Sequence, residues 1–120
     1  MKYEYKASLV RIIDGDTYEL EVDLGFKISF REKVRLYGAD TPEVFGKNAS
    51  QEGRDASAFV KKLLEAQPDT FTVNTHKDRK GKYGRYLADI LLVNDEDGTP
   101  LEVSVFLSTY LIQKRVATPL

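Results

Sequence analysis

Between Thr17 and Leu24 apolar and polar residues change places at every step, with Tyr18, Leu20, Val22 and Leu24 interleaved with Thr17, Glu19, Glu21 and Asp23. A period of two belongs to an extended chain with one face buried, so this stretch predicts a strand. Val10, Ile12 and Ile13 lead into it through the acidic turn Ile13 to Thr17, and Gly25 ends it. Phe26, Ile28 and Phe30 alternate again and Val34, Leu36 and Tyr37 continue, which predicts a three-stranded meander. From Gln51 the period lengthens: Ala56, Phe59, Val60, Leu63 and Leu64 recur at helical spacing, with Asn48 or Ser50 as N-cap and Pro68 as the stop. Phe71 and Val73 alternate with threonines, Tyr86 to Val93 is almost continuously apolar, and Asn94 to Gly98 is an acidic turn. Val103, Phe106, Leu107, Tyr110 and Leu111 read as a second helical stripe. The resulting order, βββαββα, predicts an α+β fold on a five-stranded Greek-key barrel of the oligonucleotide/oligosaccharide-binding (OB) kind, as one domain over residues 1–120.

Composition narrows the chemistry. The 120 residues include no cysteine and one histidine, so disulfides and thiolate sites are excluded and any metal must be held by oxygen. No run approaches the roughly 20 apolar residues of a membrane span, and the N-terminus lacks the apolar stretch of a secretory signal. The expectation is a soluble, cytoplasmic chain without membrane association, or a secreted one if a leader was removed. A monomer is expected, with an oligomer left open. Net charge is -1, yet Lys77, Arg79, Lys80, Lys82 and Arg85 stand close together against Asp78 alone. Such a segment can engage phosphates from a neutral body, with an affinity that falls as salt rises.

The polar residues that break the pattern fall into three motifs: the turn Ile13 to Thr17, the run Val34 to Glu43 (VRLYGADTPE), and Lys82 to Arg85 (KYGR). Together they offer two carboxylates that can share a hard cation, one free to move a proton, and two guanidiniums suited to phosphate. These are the parts of a metal-assisted phosphodiesterase. With the helix EGRDASAFVKKLL between the second and third motifs, the chain resembles the staphylococcal nuclease (thermonuclease) family from about Val10 to Val93, and more weakly to Leu111. The resemblance implies an OB-fold barrel and calcium-dependent hydrolysis of DNA and RNA phosphodiesters, leaving 3′-phosphate ends. The alternative from the same residues is a catalytically weak or inactive OB-fold module that binds nucleic acid or protein. A purely structural domain in a larger assembly is a third reading.

Under the first reading Asp16 and Asp40 are calcium ligands, joined by the Thr41 carbonyl and supported from behind by Asp14. Glu43 is the general base, and Arg35 and Arg85 clamp the phosphate through two oxygens each. Lys82, Tyr83 and Tyr37 are the candidate substrate contacts. The expected partner is single-stranded or frayed DNA or RNA, because a barrel face follows a flexible backbone more readily than a stiff duplex. Strand alternation places Arg35 and Asp40 on opposite faces, so Gly38 must break the strand if they are to meet. Asn48-Ala49-Ser50 reads as a helix cap rather than a glycosylation site, 95–98 as a solvated hairpin turn rather than a calcium loop, and His76 as a partly exposed strand residue. The tail QKRVATPL lacks the paired tyrosines that typify the family after its last helix, which leaves the base-stacking residue unassigned.

Overall fold

The computed structural model describes residues 3–44, 46–47, 49–77 and 86–120. Three strands open the chain: β1 (Tyr3–Asp14), β2 (Thr17–Gly25) and β3 (Ile28–Leu36). The two-residue strand β4 (Ala39–Asp40) follows, then α1 (Gln51–Glu65), β5 (Phe71–Lys77), β6 (Tyr86–Asn94), β7 (Pro100–Phe106), α2 (Leu107–Gln113) and a second two-residue strand, β8 (Thr118–Pro119).

The main sheet runs β3-β2-β1-β5-β6-β7 and closes on itself where β3 pairs in parallel with β6, Val34 opposite Tyr86 and Leu36 opposite Ala88. Closure makes β1, β2, β3, β5 and β6 a five-stranded barrel. With its two helices this is the OB-fold α+β architecture that the residue pattern predicts. Closing the sheet pairs most of the edges that an open sheet of this size would expose, and leaves β7 at its margin, paired with β6 alone among the described residues. The alternating residues Tyr18, Leu20, Val34, Leu36, Val73, Ala88, Ile90 and Leu92 point inward and are buried. Helix α1 lays Ala56, Val60, Leu63 and Leu64 on this core, and its first turn is capped by the Ser50 hydroxyl, which accepts from the Gly53 N–H. Among the described residues no helix is long and apolar enough to cross a membrane.

Two local expectations change. Phe26 is not a strand residue: it sits in the β2–β3 turn with φ +53° and is almost wholly exposed. The predicted stripe from Val103 onward is only partly helical, because Pro100–Phe106 forms β7 and pairs with β6, Leu92 opposite Val105. Leu101-Glu102-Val103-Ser104-Val105 does alternate with a period of two, but Val103 and Phe106 also fit a helical spacing with Leu107, Tyr110 and Leu111. The edge of β6 supplied hydrogen-bond partners that favoured the strand. The turn 95–98 is a solvated hairpin: the Asp95 side chain accepts from the N–H groups of Asp97 and Thr99. Asp95, Glu96 and Asp97 are the one acidic trio clustered closely among the described residues, and Asp97 is already paired with Lys62.

Candidate active site

The Asp14-Gly15-Asp16 turn joins β1 to β2 at the barrel rim. It is fixed from below by Tyr18, whose fully buried hydroxyl donates to the Gly15 carbonyl at 2.5 Å. It is fixed from within by Asp14, which accepts the Asp16 N–H at 3.0 Å. The Thr41 side chain lies directly against Gly15, where an added Cβ would come 2.6 Å from the threonine Oγ1. A larger residue at position 15 would therefore push the second motif away from the first.

Gly38 resolves the parity conflict. Its φ of +83° turns the chain after β3, so that Asp40 comes back toward Arg35. Arg35 donates through Nη2 to Asp40 Oδ1 at 2.5 Å, and the same nitrogen lies 3.6 Å from Asp16 Oδ2. The Thr41 N–H closes the arrangement by donating to Asp16 Oδ2 at 3.1 Å. Residues from the first two motifs, remote in sequence, thus meet in one group.

Glu43 is exposed, and its carboxylate is close enough to push the Asp40 carboxyl upward. Its backbone is fixed by the start of α1: the Ser50 N–H donates to the Glu43 carbonyl at 3.1 Å, and a Cβ on Gly53 would fall 1.9 Å from that oxygen. Only a residue without a side chain lets the helix approach this closely. The C-terminal tail also reaches the site, with β8 pairing to β4 so that Thr118 lies opposite Asp40. The Leu120 N–H donates to the Gly38 carbonyl at 3.2 Å. Residues that ordinary motif reading passes over, Tyr18, Gly53 and Thr118, therefore hold the polar cluster in place. Only Gly53 offered a signal in the sequence, as a glycine in an otherwise strong helix.

The electrostatics of the group are those of crowded acids. Burial pushes the Asp14 carboxyl up to about 6, aided by its hydrogen bond with Asp16. Asp40 is raised by the same causes, against the Arg35 guanidinium. For Asp16 burial acts upward but is outweighed by hydrogen bonds from Asp14, the Thr41 N–H and Asp40 and by the Arg35 charge, so it stays a carboxylate. Among the described residues the aspartates 14, 16 and 40 face one guanidinium. Beside them the buried Thr41 Oγ1 has no hydrogen-bond partner. An all-oxygen donor set with excess negative charge and an orphaned hydroxyl fits a hard divalent cation.

Tyr37 lies on the outer barrel face, with its ring stacked on His76 at 4.1 Å. Lys82, Tyr83 and Arg85, the expected second half of the phosphate clamp and its neighbours, lie outside the described residues, as does Asn48.

Comparison with known proteins places the chain in a family. A model described as "Staphylococcal nuclease homologue" matches residues 33–117. A thermonuclease of Staphylococcus intermedius is 39% identical over 84 residues, covering 68% of this chain and 46% of that protein. An uncharacterized protein of Methanocaldococcus jannaschii is 30% identical over 111 residues, covering 78% and 51%. Endonuclease YhcR of Bacillus subtilis is 30% identical over 95 residues, 73% of this chain but 7% of the enzyme. The chain thus spans about half the length of the staphylococcal and archaeal relatives. With the two acidic motifs assembled on a closed OB barrel and a family model covering most of the sequence, the chain belongs to the staphylococcal nuclease family.

Proposed function

We propose that this chain is a metal-dependent nuclease that hydrolyses backbone phosphodiesters of single-stranded or frayed DNA and RNA. In this reading calcium is the cation and 3′-phosphate ends are the products. The observation that carries it is the meeting of Asp16, Asp40 and Arg35 beside the Thr41 backbone, carboxylates and a guanidinium in one partly buried group. The names of the thermonuclease and endonuclease relatives agree with it.

Asp16, Asp40 and the Thr41 carbonyl would hold the ion, with Asp14 orienting Asp16 from behind. When bound there, calcium would supply positive charge to the phosphate, and its tolerance for irregular oxygen shells would suit a site with few protein ligands better than magnesium's strict octahedron. Arg35 offers a planar fork of N–H donors to the phosphate, and Arg85 would provide the second fork. Glu43 stands at the solvent side of the group, free of any hydrogen bond in its side chain among the described residues, where it can accept the proton of an attacking water. Water then attacks phosphorus, the bond to the 5′ oxygen breaks and that oxygen takes up a proton to leave as the 5′ hydroxyl of the next fragment, and the phosphate remains on the 3′ side. Gly53 and Ser50 set the position of the base by fixing its backbone.

The test is cleavage of an end-labelled single strand with calcium, with magnesium and with chelator, for wild type, Asp40→Ala and Arg35→Lys. Calcium-supported cleavage that chelation and Asp40→Ala abolish is the expected result. Arg35→Lys should recover little, because the charge returns without the bidentate geometry. Equal cleavage in chelator overturns the mechanism, and binding without cleavage under every condition reduces the domain to a binding module.

A further inference from the structure

We propose that one end of the barrel is a second holding place for the substrate strand: a cleft in which unpaired nucleobases, a few nucleotides from the cleaved linkage, insert between the rings of Tyr3 and Tyr5 on one wall and Phe30 and Tyr86 on the other. The inference rests on the nuclease reading above and adds to it a binding surface that only unpaired bases can use.

Strand alternation brings the rings together. Tyr3 and Tyr5 share a face of β1 with buried Ala7, Phe30 shares one of β3 with buried Val34, and Tyr86 shares one of β6 with buried Ala88 and Ile90. All four therefore belong to the inward rows. They stand where β1, β3 and β6 begin, with Val22 and Leu24 from the end of β2 between the two walls.

Small barrels ordinarily fill their interior with side chains. This end instead holds a cavity of about 470 Å³, lined by no residue of either helix, and that volume falls in the range of roughly 300–1,000 Å³ typical of ligand sites. Tyr3, Leu24, Phe30 and Tyr86 are each between 40% and 53% exposed, so the apolar surface adjoins water as one patch. The Tyr3 and Tyr5 rings lie 6.4 Å apart and 28° from parallel. Phe30 and Tyr86 meet edge to face at 5.9 Å, beside the Val34–Tyr86 pair where the barrel closes.

Two observations select the occupant. The first is continuity with the polar group: Val34 lines the cleft, and Arg35 follows it on the opposite face of β3. β3 meets β6 only from Val34 onward, so from Ile28 to Lys33 it pairs with β2 alone among the described residues. A nucleic-acid strand held at Arg35 can cross that margin into the cleft. Phe30 lies about 17 Å from Arg35 at the usual strand rise, a span that a few nucleotides cover. The second observation is charge. His76 and Tyr86 both line the cleft, and the chain that joins them carries Lys77, Arg79, Lys80, Lys82 and Arg85 against Asp78 alone. An organic cation, which the rings and Glu32 would otherwise suit, is disfavoured there, whereas a phosphate backbone is attracted. Glu32 is moreover turned along its own strand, its Oε1 accepting the Lys33 N–H at 3.0 Å. Cations for the backbone beside rings for the bases are the combination that holds single strands without sequence preference.

The experiment measures, by fluorescence anisotropy in chelator, the binding of a labelled thymidine oligomer and of an equally long oligomer with the same phosphates but no bases. Both are titrated with the wild-type chain, Tyr3→Ala and Phe30→Ala. The wild type should bind the thymidine oligomer about tenfold tighter, on the order of one stacked base. Each variant should lose most of that preference and keep its affinity for the abasic oligomer, since the phosphate contacts remain. Equal binding of the two oligomers by the wild type overturns the inference without any variant, even if Phe30→Ala fails to fold. A preference that folded variants retain in full also overturns it, because the bases then stack elsewhere. So does a wild-type dimer in sedimentation equilibrium that the same substitutions dissociate, because the cleft then belongs to a second copy. The nuclease reading is judged separately by the calcium-dependent cleavage above: base-dependent binding with no cleavage under any condition ends that reading and leaves the cleft standing as a single-strand binding surface.

Discussion

Replacing Gly53 by alanine sets two opposed effects against each other, and the structure decides which is larger. In a helix interior alanine is favoured over glycine by about 1 kcal/mol, and by less in the first turn where Gly53 stands, so from helix propensity alone Gly53→Ala should stabilise the chain by at most that amount. The new methyl, however, would stand 1.9 Å from the Glu43 carbonyl oxygen, 2.5 Å from its carbon and 3.0 Å from the Pro42 oxygen. The first contact is about 1.5 Å inside ordinary van der Waals separation. All three neighbours are backbone, so no side chain can rotate away, and either α1 or the turn carrying Glu43 must move. Overpacking of this kind costs about 1–3 kcal/mol, and straining the Ser50 N–H to Glu43 carbonyl bond adds about 1 kcal/mol. The net is a destabilisation of about 1–3 kcal/mol, a fall of roughly 3–10 °C in Tm for a domain of this size. Displacing Glu43 by about 1 Å should also lower the cleavage rate by about 10² even in the folded fraction. Thermal unfolding by circular dichroism and single-turnover cleavage at saturating calcium measure the two effects. A Gly53→Ala chain with a raised Tm and an unchanged rate would refute both the close approach and the positioning of Glu43.

Three further outcomes follow from the same geometry. Glu43→Gln should preserve folding and calcium affinity while lowering the maximal rate by about 10² to 10⁴, as loss of a general base does; an unchanged pH–rate profile would return Glu43 to the role of a turn residue. Because the Asp14 carboxyl is raised to about 6, the folded chain without calcium binds more protons than the unfolded chain between about pH 4 and 6. Its stability should therefore fall as pH rises through that window, while calcium affinity should rise and binding should release protons; calorimetry at pH 5, 6 and 7 that finds constant affinity would contradict this. Removing residues 118–120 should leave the barrel folded, since Ala117 keeps its buried place, but should weaken calcium binding about threefold to tenfold by releasing the segment that carries Asp40. Unchanged affinity in a calcium titration would show that β8 contributes nothing to the site.

The sequence by itself determined the barrel strands, the first helix and the chemical inventory, because each is a local matter. Tyr18 to Leu24 can bury one face only as a strand, Ala56 to Leu64 only as a helix, and a chain without cysteine and with one histidine can hold a metal only through oxygen. The family's acidic motifs were legible for the same reason, as short runs whose residue types and order carry the chemistry. Tertiary structure decided what depends on a partner distant in sequence. Val103 and Phe106 fit a helix until the edge of β6 offered hydrogen bonds that made them strand, and Arg35 and Asp40 stood on opposite faces until Gly38 turned the chain. The tail without aromatics gave no sign that it would pair with the strand bearing Asp40. Gly53 could be read as a weakness in a helix until the Glu43 carbonyl lay against it, and Asn74 as an unremarkable strand residue until its oxygen was buried without a donor. Pattern and propensity act over a few neighbours, whereas close approach, pairing of edges and the burial of a lone acceptor exist only once the barrel has closed.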